Sequence, residues 1–322
     1  MKYLFVITSV FLLWIPIVSS QPVPAKEENI PFLVTFGANS DKSWGDDDFC
    51  QIFFFVIPKD YKQPVFIRVF DPDIGGKYDE KKGVFDTKTK FSVYGGKGCI
   101  TNKDAQNIDP VGNYKSGNLL CSKTFGNNSK YDDKWFTFRP ISPTEGEYSE
   151  KYDGYVLKVI AQGVSGNDGN LYRYYLSTKP SVNTPLEGSN SFTFEYSFRL
   201  HNNPKEVSHI YPYLDDRVIS IKQFNFDWDN DGKLFFVSVK RKIVVMKQSP
   251  DDKWVMSEHK ILEGERKSSL DIQMHKNPNA PANNNNVVFY IRNQYGELLP
   301  FNNVPIGGIP YPKSVIKIKP HK

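Results

Sequence analysis

The sequence predicts an all-β protein: two antiparallel β-sandwich domains, jelly-roll or immunoglobulin-like, in tandem after a signal peptide. Three observations carry that expectation. Aromatic residues make up 15% of the 322 positions, with 24 Phe and 18 Tyr against 4 Met. That mix suits a pleated, half-buried surface better than a helix bundle. Short apolar runs are punctuated by Gly, Pro, Asn and Asp at intervals of roughly 8–15 residues. No long stretch keeps the 3.6-residue period of an amphipathic helix. With 39% apolar and 24% charged residues, the chain can bury a core, and its length suits about two domains.

Residues 1–20 read as a signal peptide. Lys2 supplies the positive start, an apolar run broken by Pro16 follows, and Ser19 and Ser20 offer small residues for cleavage. The run falls short of the about 20 residues that span a bilayer. The mature chain is therefore expected to be secreted, periplasmic or at the cell surface, without a membrane span. Residues 21–30, with Pro22, Pro24, Lys26, Glu27 and Glu28, read as a tether. The first sandwich is expected over 31–180, with strands at 32–36, 51–57, 65–70, 90–94, 135–138, 155–161 and 171–177. A polar, Pro-containing linker follows at 178–190. The second sandwich is expected over 191–310. It opens with Phe192-Thr-Phe-Glu-Tyr-Ser-Phe-Arg199, where aromatic and polar residues alternate with the period of a half-buried strand. This segment also suits the edge of the first sheet. Further strands are expected at 218–226, 234–239, 242–247, 253–256, 270–275 and 287–292. Residues 311–322 form a basic C-terminal tail.

Forty-one basic and 36 acidic side chains give a net charge of +5, too mild for a nucleic-acid partner. Three cysteines exclude a disulfide-dense scaffold and a four-thiolate zinc site. An exported chain permits disulfides. Cys99 and Cys121 flank a turn-rich segment that a bridge would stabilise by about 3 kcal/mol. The alternative is that both stay reduced. Cys50 opens an apolar run and reads as a buried thiol. Asn127-Asn128-Ser129 fits a glycosylation sequon.

The sharpest chemical signal is acidic. Asp46-Asp47-Asp48 precedes the expected strand 51–57, and Asp71, Asp73 and Asp79 follow 65–70. A hairpin between these strands, centred near Tyr61, would set Ile57 opposite Val65 and Ile52 opposite Phe70. Both acidic runs would then share one end of the sheet. Gathered carboxylates repel unless a cation offsets them. Calcium takes 6–8 oxygen ligands at about 2.3–2.6 Å, and Asp46, Asp48, Asp71, Asp73 and Asp79 would supply most. Gly75 and Gly76 let the loop fold back, and Asp168 is a further candidate ligand. Solvated turns are the competing reading, because Asp, Asn and Gly are ordinary turn residues. Zinc is disfavoured, since these loops hold no His or Cys. The second half contains Asp227-Trp-Asp-Asn-Asp-Gly232. It opens like a helix–loop–helix calcium loop, but Ser238 stands where the bidentate Glu is needed. It reads as a hairpin turn instead.

On Asp46-Asp47-Asp48, Phe70-Asp71-Pro72-Asp73 with Gly75-Gly76, and Asn167-Asp168-Gly169, the region 31–180 resembles the calcium-binding β-sandwich modules of secreted bacterial proteins. Pre-peptidase C-terminal domains and C2-like domains are examples. The resemblance implies a calcium-stabilised sandwich with a targeting or binding role, and it does not extend into the second half.

None of the five histidines sits in a metalloprotease pattern, and no G-x-S-x-G elbow is present. His209, near Tyr211 and Asp215, is a loose catalytic candidate; Glu145, Glu147 and Asp153 are loose candidates for glycoside hydrolysis. The expected function is non-catalytic binding of a glycan or a cell-surface protein. The alternatives are a secreted carboxylate-dependent hydrolase and a structural subunit of a cell-envelope assembly. Clustered exposed aromatics beside a groove would favour a glycan.

Overall fold

The computed structural model describes residues 22–279 and 285–309. The expected signal peptide and basic tail lie outside the described residues. The first half supplies β1 (Pro22–Val23), β2 (Phe32–Phe36), β3 (Cys50–Pro58), β4 (Phe66–Phe70), β5 (Lys88–Gly95), β6 (Asn118–Phe125), β7 (Trp135–Thr137), β8 (Glu147–Ser149), β9 (Gly154–Ser165) and β10 (Gly169–Ser177). The second supplies β11 (Asn190–Thr193), β12 (Glu195–Arg199), β13 (Ser208–Leu214), β14 (Ser220–Phe226), β15 (Gly232–Val237), β16 (Val244–Val245), β17 (Trp254–Lys260), β18 (Ser268–Ser269), β19 (Asp271–Lys276), β20 (Asn286–Asn293) and β21 (Phe301–Asn302). The helices among the described residues are short 3₁₀ turns.

The strands form two large antiparallel sheets. One runs β17-β14-β20-β12-β2-β10-β4-β7, with β1 beside β10. The other runs β16-β15-β19-β13-β21-β11-β3-β9-β5-β6, with β8 on β9 and β18 on β13. A continuous apolar core contains Phe53, Phe55, Tyr172 and Tyr174 from the first half and Ile210, Leu234, Ile272 and Phe289 from the second. The alternation of β3 explains why all but its last residue is buried. Phe53, Phe55 and Ile57 join this core, while Ile52, Phe54 and Val56 join a smaller cluster with Tyr94, Ile160 and Phe192.

Four expectations need correction. Strands β3 and β4 do not form a hairpin: they lie in different sheets. Ile52 is opposite Ile160, and Phe70 is opposite Arg173 and Trp135. A strand with both faces apolar has no polar face to bar distant partners, so sequence adjacency did not decide the pairing. Residues 22–30 are not a tether. Pro22 and Val23 pair with Tyr175 and Tyr174, and Ala25, Glu28 and Ile30 are buried. The cysteines are all free. Cys99 belongs to the smaller cluster, whereas Cys121 packs against the main core, so their thiols serve different apolar clusters. Residues 227–232 do not close a hairpin, because β14 and β15 also lie in different sheets.

The segment at 190–199 joins the two halves. Phe198 pairs with Leu33, and Phe192 pairs with Phe54. Beyond this seam the strand order repeats. In the first sheet β2-β10-β4-β7 recurs as β12-β20-β14-β17, and in the second β3-β9-β5-β6 recurs as β13-β19-β15-β16.

Candidate metal centres

After Phe70 the chain leaves one sheet for the other. Asp71 makes the corner with a left-handed backbone, φ 52°. Its amide donates to the Lys134 carbonyl at 2.9 Å, and its Oδ1 accepts from the Asp133 amide at 2.9 Å. Asp73 Oδ2 accepts from the Asn128 amide at 3.0 Å. The two carboxylates thus lash the 71–87 connection to the β6–β7 connection, and this brings in Asp132. One carboxylate oxygen from each of Asp71, Asp73 and Asp132 lies within 4.8 Å of the others.

Asp71 and Asp73 are each 1% exposed. Asp71 Oδ2 and Asp73 Oδ1 are buried without a hydrogen-bond partner. Such atoms are costly, since their hydration has been given up and nothing replaces it. Burial, reinforced by neighbouring aspartates, pushes Asp71 up to about 7 and Asp73 to about 6. A divalent cation would supply the missing partner. Oxygen-only ligation fits a hard ion such as calcium. Asp79 borders this group: Oδ2 accepts from the Gly75 amide at 2.7 Å and Oδ1 from the Leu171 amide at 2.7 Å. Burial holds its carboxyl well above the usual range. Gly75 and Gly76 take positive φ, as a loop folding back requires.

Asp46 and Asp48 form a separate group with Asp47. Asp46 accepts from the Phe36 amide at 2.7 Å and the Phe49 amide at 2.9 Å. Asp48 accepts from the Cys50 amide at 2.8 Å, and Asp47 Oδ2 from Trp254 Nε1 at 3.0 Å. Burial raises Asp46 to about 7. Asp168 belongs to neither group. Its oxygens accept from the amides of Lys82, Asp86 and Thr87 at 2.9, 3.0 and 3.2 Å. It pins the 82–87 loop.

Sequence reasoning missed Asp132, which lies far along the chain from Asp73. It also set Asp227 and Asp229 aside as part of a hairpin turn and missed Asp251; the three form a third group, with carboxylate oxygens within 4.8 Å of one another. Asp227 Oδ1 accepts from the Asp252 amide at 3.0 Å. Asp229 Oδ1 is buried without a hydrogen-bond partner. Burial raises Asp227 to about 8 and Asp229 to about 6. The available signal was a repeated tetrapeptide: Asp132-Asp-Lys-Trp135 recurs as Asp251-Asp-Lys-Trp254.

Two concavities adjoin the seam between the halves. A cleft of about 930 Å³ is lined by Tyr152, Asn190, Tyr213, Arg217, Arg292 and Tyr295, among others. Tyr295 is exposed, and Arg217 is anchored by Asp215 and Glu297 at 3.1 and 3.0 Å. A smaller pocket of about 240 Å³ holds Asp47, Asp48, Asp109 and Glu195 beneath Trp254 and Tyr290. Burial and the Asp48, Asp47 and Asp46 charges push Glu195 well up. His209 is bonded through Nδ1 to Asp271 at 2.7 Å and is buried. Its carboxylate partner is therefore Asp271, not Asp215. No helix among the described residues is long and apolar enough to cross a membrane. The sequence matches no protein-family profile and no functionally curated protein.

Proposed function

We propose that this chain is an exported, non-catalytic binding protein of two tandem β-sandwiches that holds a glycan in the cleft where its halves meet. The observation that carries this reading is the 930 Å³ cleft with Tyr152, Tyr213 and Tyr295 among its walls. Tyrosine rings offer flat apolar faces to pyranose rings, and Asn190 and Arg292 offer directional partners for hydroxyls. A calcium ion at Asp71, Asp73 and Asp132 stiffens the first half, in keeping with the resemblance to calcium-stabilised sandwich modules. A glycan array probed with the mature chain tests the reading. Tyr295→Ala should weaken binding of the captured glycan about tenfold, the loss of one stacking contact. An array without a specific glycan, or a Tyr295→Ala chain that binds unchanged, removes it.

The acidic pocket supports a second reading, a carboxylate-dependent hydrolase. Burial and the neighbouring carboxyls favour the protonated form of Glu195, and hydrolases pair a proton donor with a carboxylate. Turnover of a glycoside panel that is abolished by Glu195→Gln would favour this reading over simple binding.

A further inference from the structure

We infer that the two halves are copies of one sandwich and that each carries the same divalent-cation site: Asp71, Asp73 and Asp132 in the first, Asp227, Asp229 and Asp251 in the second. This goes beyond the proposed function, which places an ion in the first half alone. The repeated strand order makes β4 the counterpart of β14 and β7 the counterpart of β17. The sequence repeats at the matching positions. Phe70-Asp-Pro-Asp73 aligns with Phe226-Asp-Trp-Asp229, and Asp132-Asp-Lys-Trp135 with Asp251-Asp-Lys-Trp254.

The local geometry repeats as well. Phe70 pairs across the sheet with Trp135, and Phe226 with Trp254. The ring centroids lie 5.4 and 5.3 Å apart. Asp71 and Asp227 are left-handed, with φ 52° and 59°; so are Asp133 and Asp252, with φ 57° and 49°. The Asp133 amide donates to Asp71 Oδ1 at 2.9 Å, and the Asp252 amide to Asp227 Oδ1 at 3.0 Å. In both halves the first aspartate is 1% exposed.

Repetition alone does not require a ligand; the unpaired oxygens do. Asp71 Oδ2 and Asp73 Oδ1 are buried with no donor. In the second group Asp229 Oδ1 is in the same condition. A carboxylate removed from water and left without a donor calls for a cation. The copies differ in one respect that orders their affinities. Lys276 Nζ lies 3.4 Å from Asp231 Oδ2, and this fixed positive charge opposes a cation beside Asp229. The second ion therefore binds more weakly than the first.

Calcium titration calorimetry of the chelator-treated full chain tests the proposal. Two ions should bind per chain, the tighter lost in Asp132→Asn and the weaker in Asp251→Asn, with none bound by the double variant. Asp251 is exposed, so its replacement should leave folding intact, which circular dichroism verifies. A single wild-type ion that Asp132→Asn abolishes would overturn the twin site and leave the first-half ion standing. A wild type that binds no calcium would overturn both. An Asp251→Asn chain that still binds two ions overturns the second ligand set alone.

Discussion

Asp168→Ala separates a structural strut from a metal ligand. Asp168 is fully buried. It receives four hydrogen bonds through its carboxylate: from the Lys82 amide at 2.9 Å, the Asp86 amide at 3.0 Å, the Thr87 amide at 3.2 Å and Thr87 Oγ1 at 3.1 Å. Hydrogen bonds to a charged acceptor are worth about 1.5–3 kcal/mol each. Lys82 is half-buried and Asp86 exposed, so water can replace part of what their amides lose. Thr87 is fully buried, and its amide would be stranded. The expected loss is about 3–5 kcal/mol, in the range reserved for a broken buried network. At about 2–4 °C per kcal/mol, thermal unfolding by circular dichroism should show a midpoint about 10 °C lower. The drop should be the same in chelator and in calcium. A loss below about 1 kcal/mol, or a drop seen only with calcium, would refute the strut assignment.

Two further predictions concern pH and redox state. Glu28 is fully buried and pushed up to about 8 by desolvation. From its unfolded value near 4.5 upward, the unfolded chain releases this proton while the folded chain keeps it. Stability should therefore fall as pH rises from about 4.5 to 8. Glu28→Gln should gain about 3–5 kcal/mol over wild type between pH 4 and pH 8.5 in urea unfolding; a pH-independent difference would be the contrary result. The three free cysteines predict a melting midpoint that is the same with and without a thiol reductant. A fall worth 2–5 kcal/mol on reduction would instead reveal a bridge.

Most strands were legible because alternation and β-branched or aromatic content act locally. Residues 32–36 match β2 in full. The short strands β1, β8, β18 and β21 were not read, and neither were two longer ones. Along β6, Asn118–Phe125, only Phe125 is buried, so an edge strand shows little apolar pattern. Strand β13, Ser208–Leu214, contains Pro212, which lacks an N–H and argues against a central strand. Of the site, Asp71 and Asp73 were legible as an acidic turn after a strand, and Asp79 as their neighbour. Asp46, Asp79 and Asp168 looked equally acidic, but both carboxylate oxygens of each accept hydrogen bonds from backbone amides. Composition cannot tell a carboxylate that caps amides from one with an oxygen to spare.

The sequence by itself determined that this chain makes antiparallel sheets, because side-chain alternation is set by neighbours two positions apart. It also determined which turns are acidic. Only the tertiary structure decided that β3 pairs with β9 rather than β4, and that Asp71 meets Asp132. Closing a long loop costs little more than closing a short one, because the entropy grows only with the logarithm of length. Burial across two sheets outweighs that difference, so the partners of each strand and each carboxylate are chosen by the whole fold.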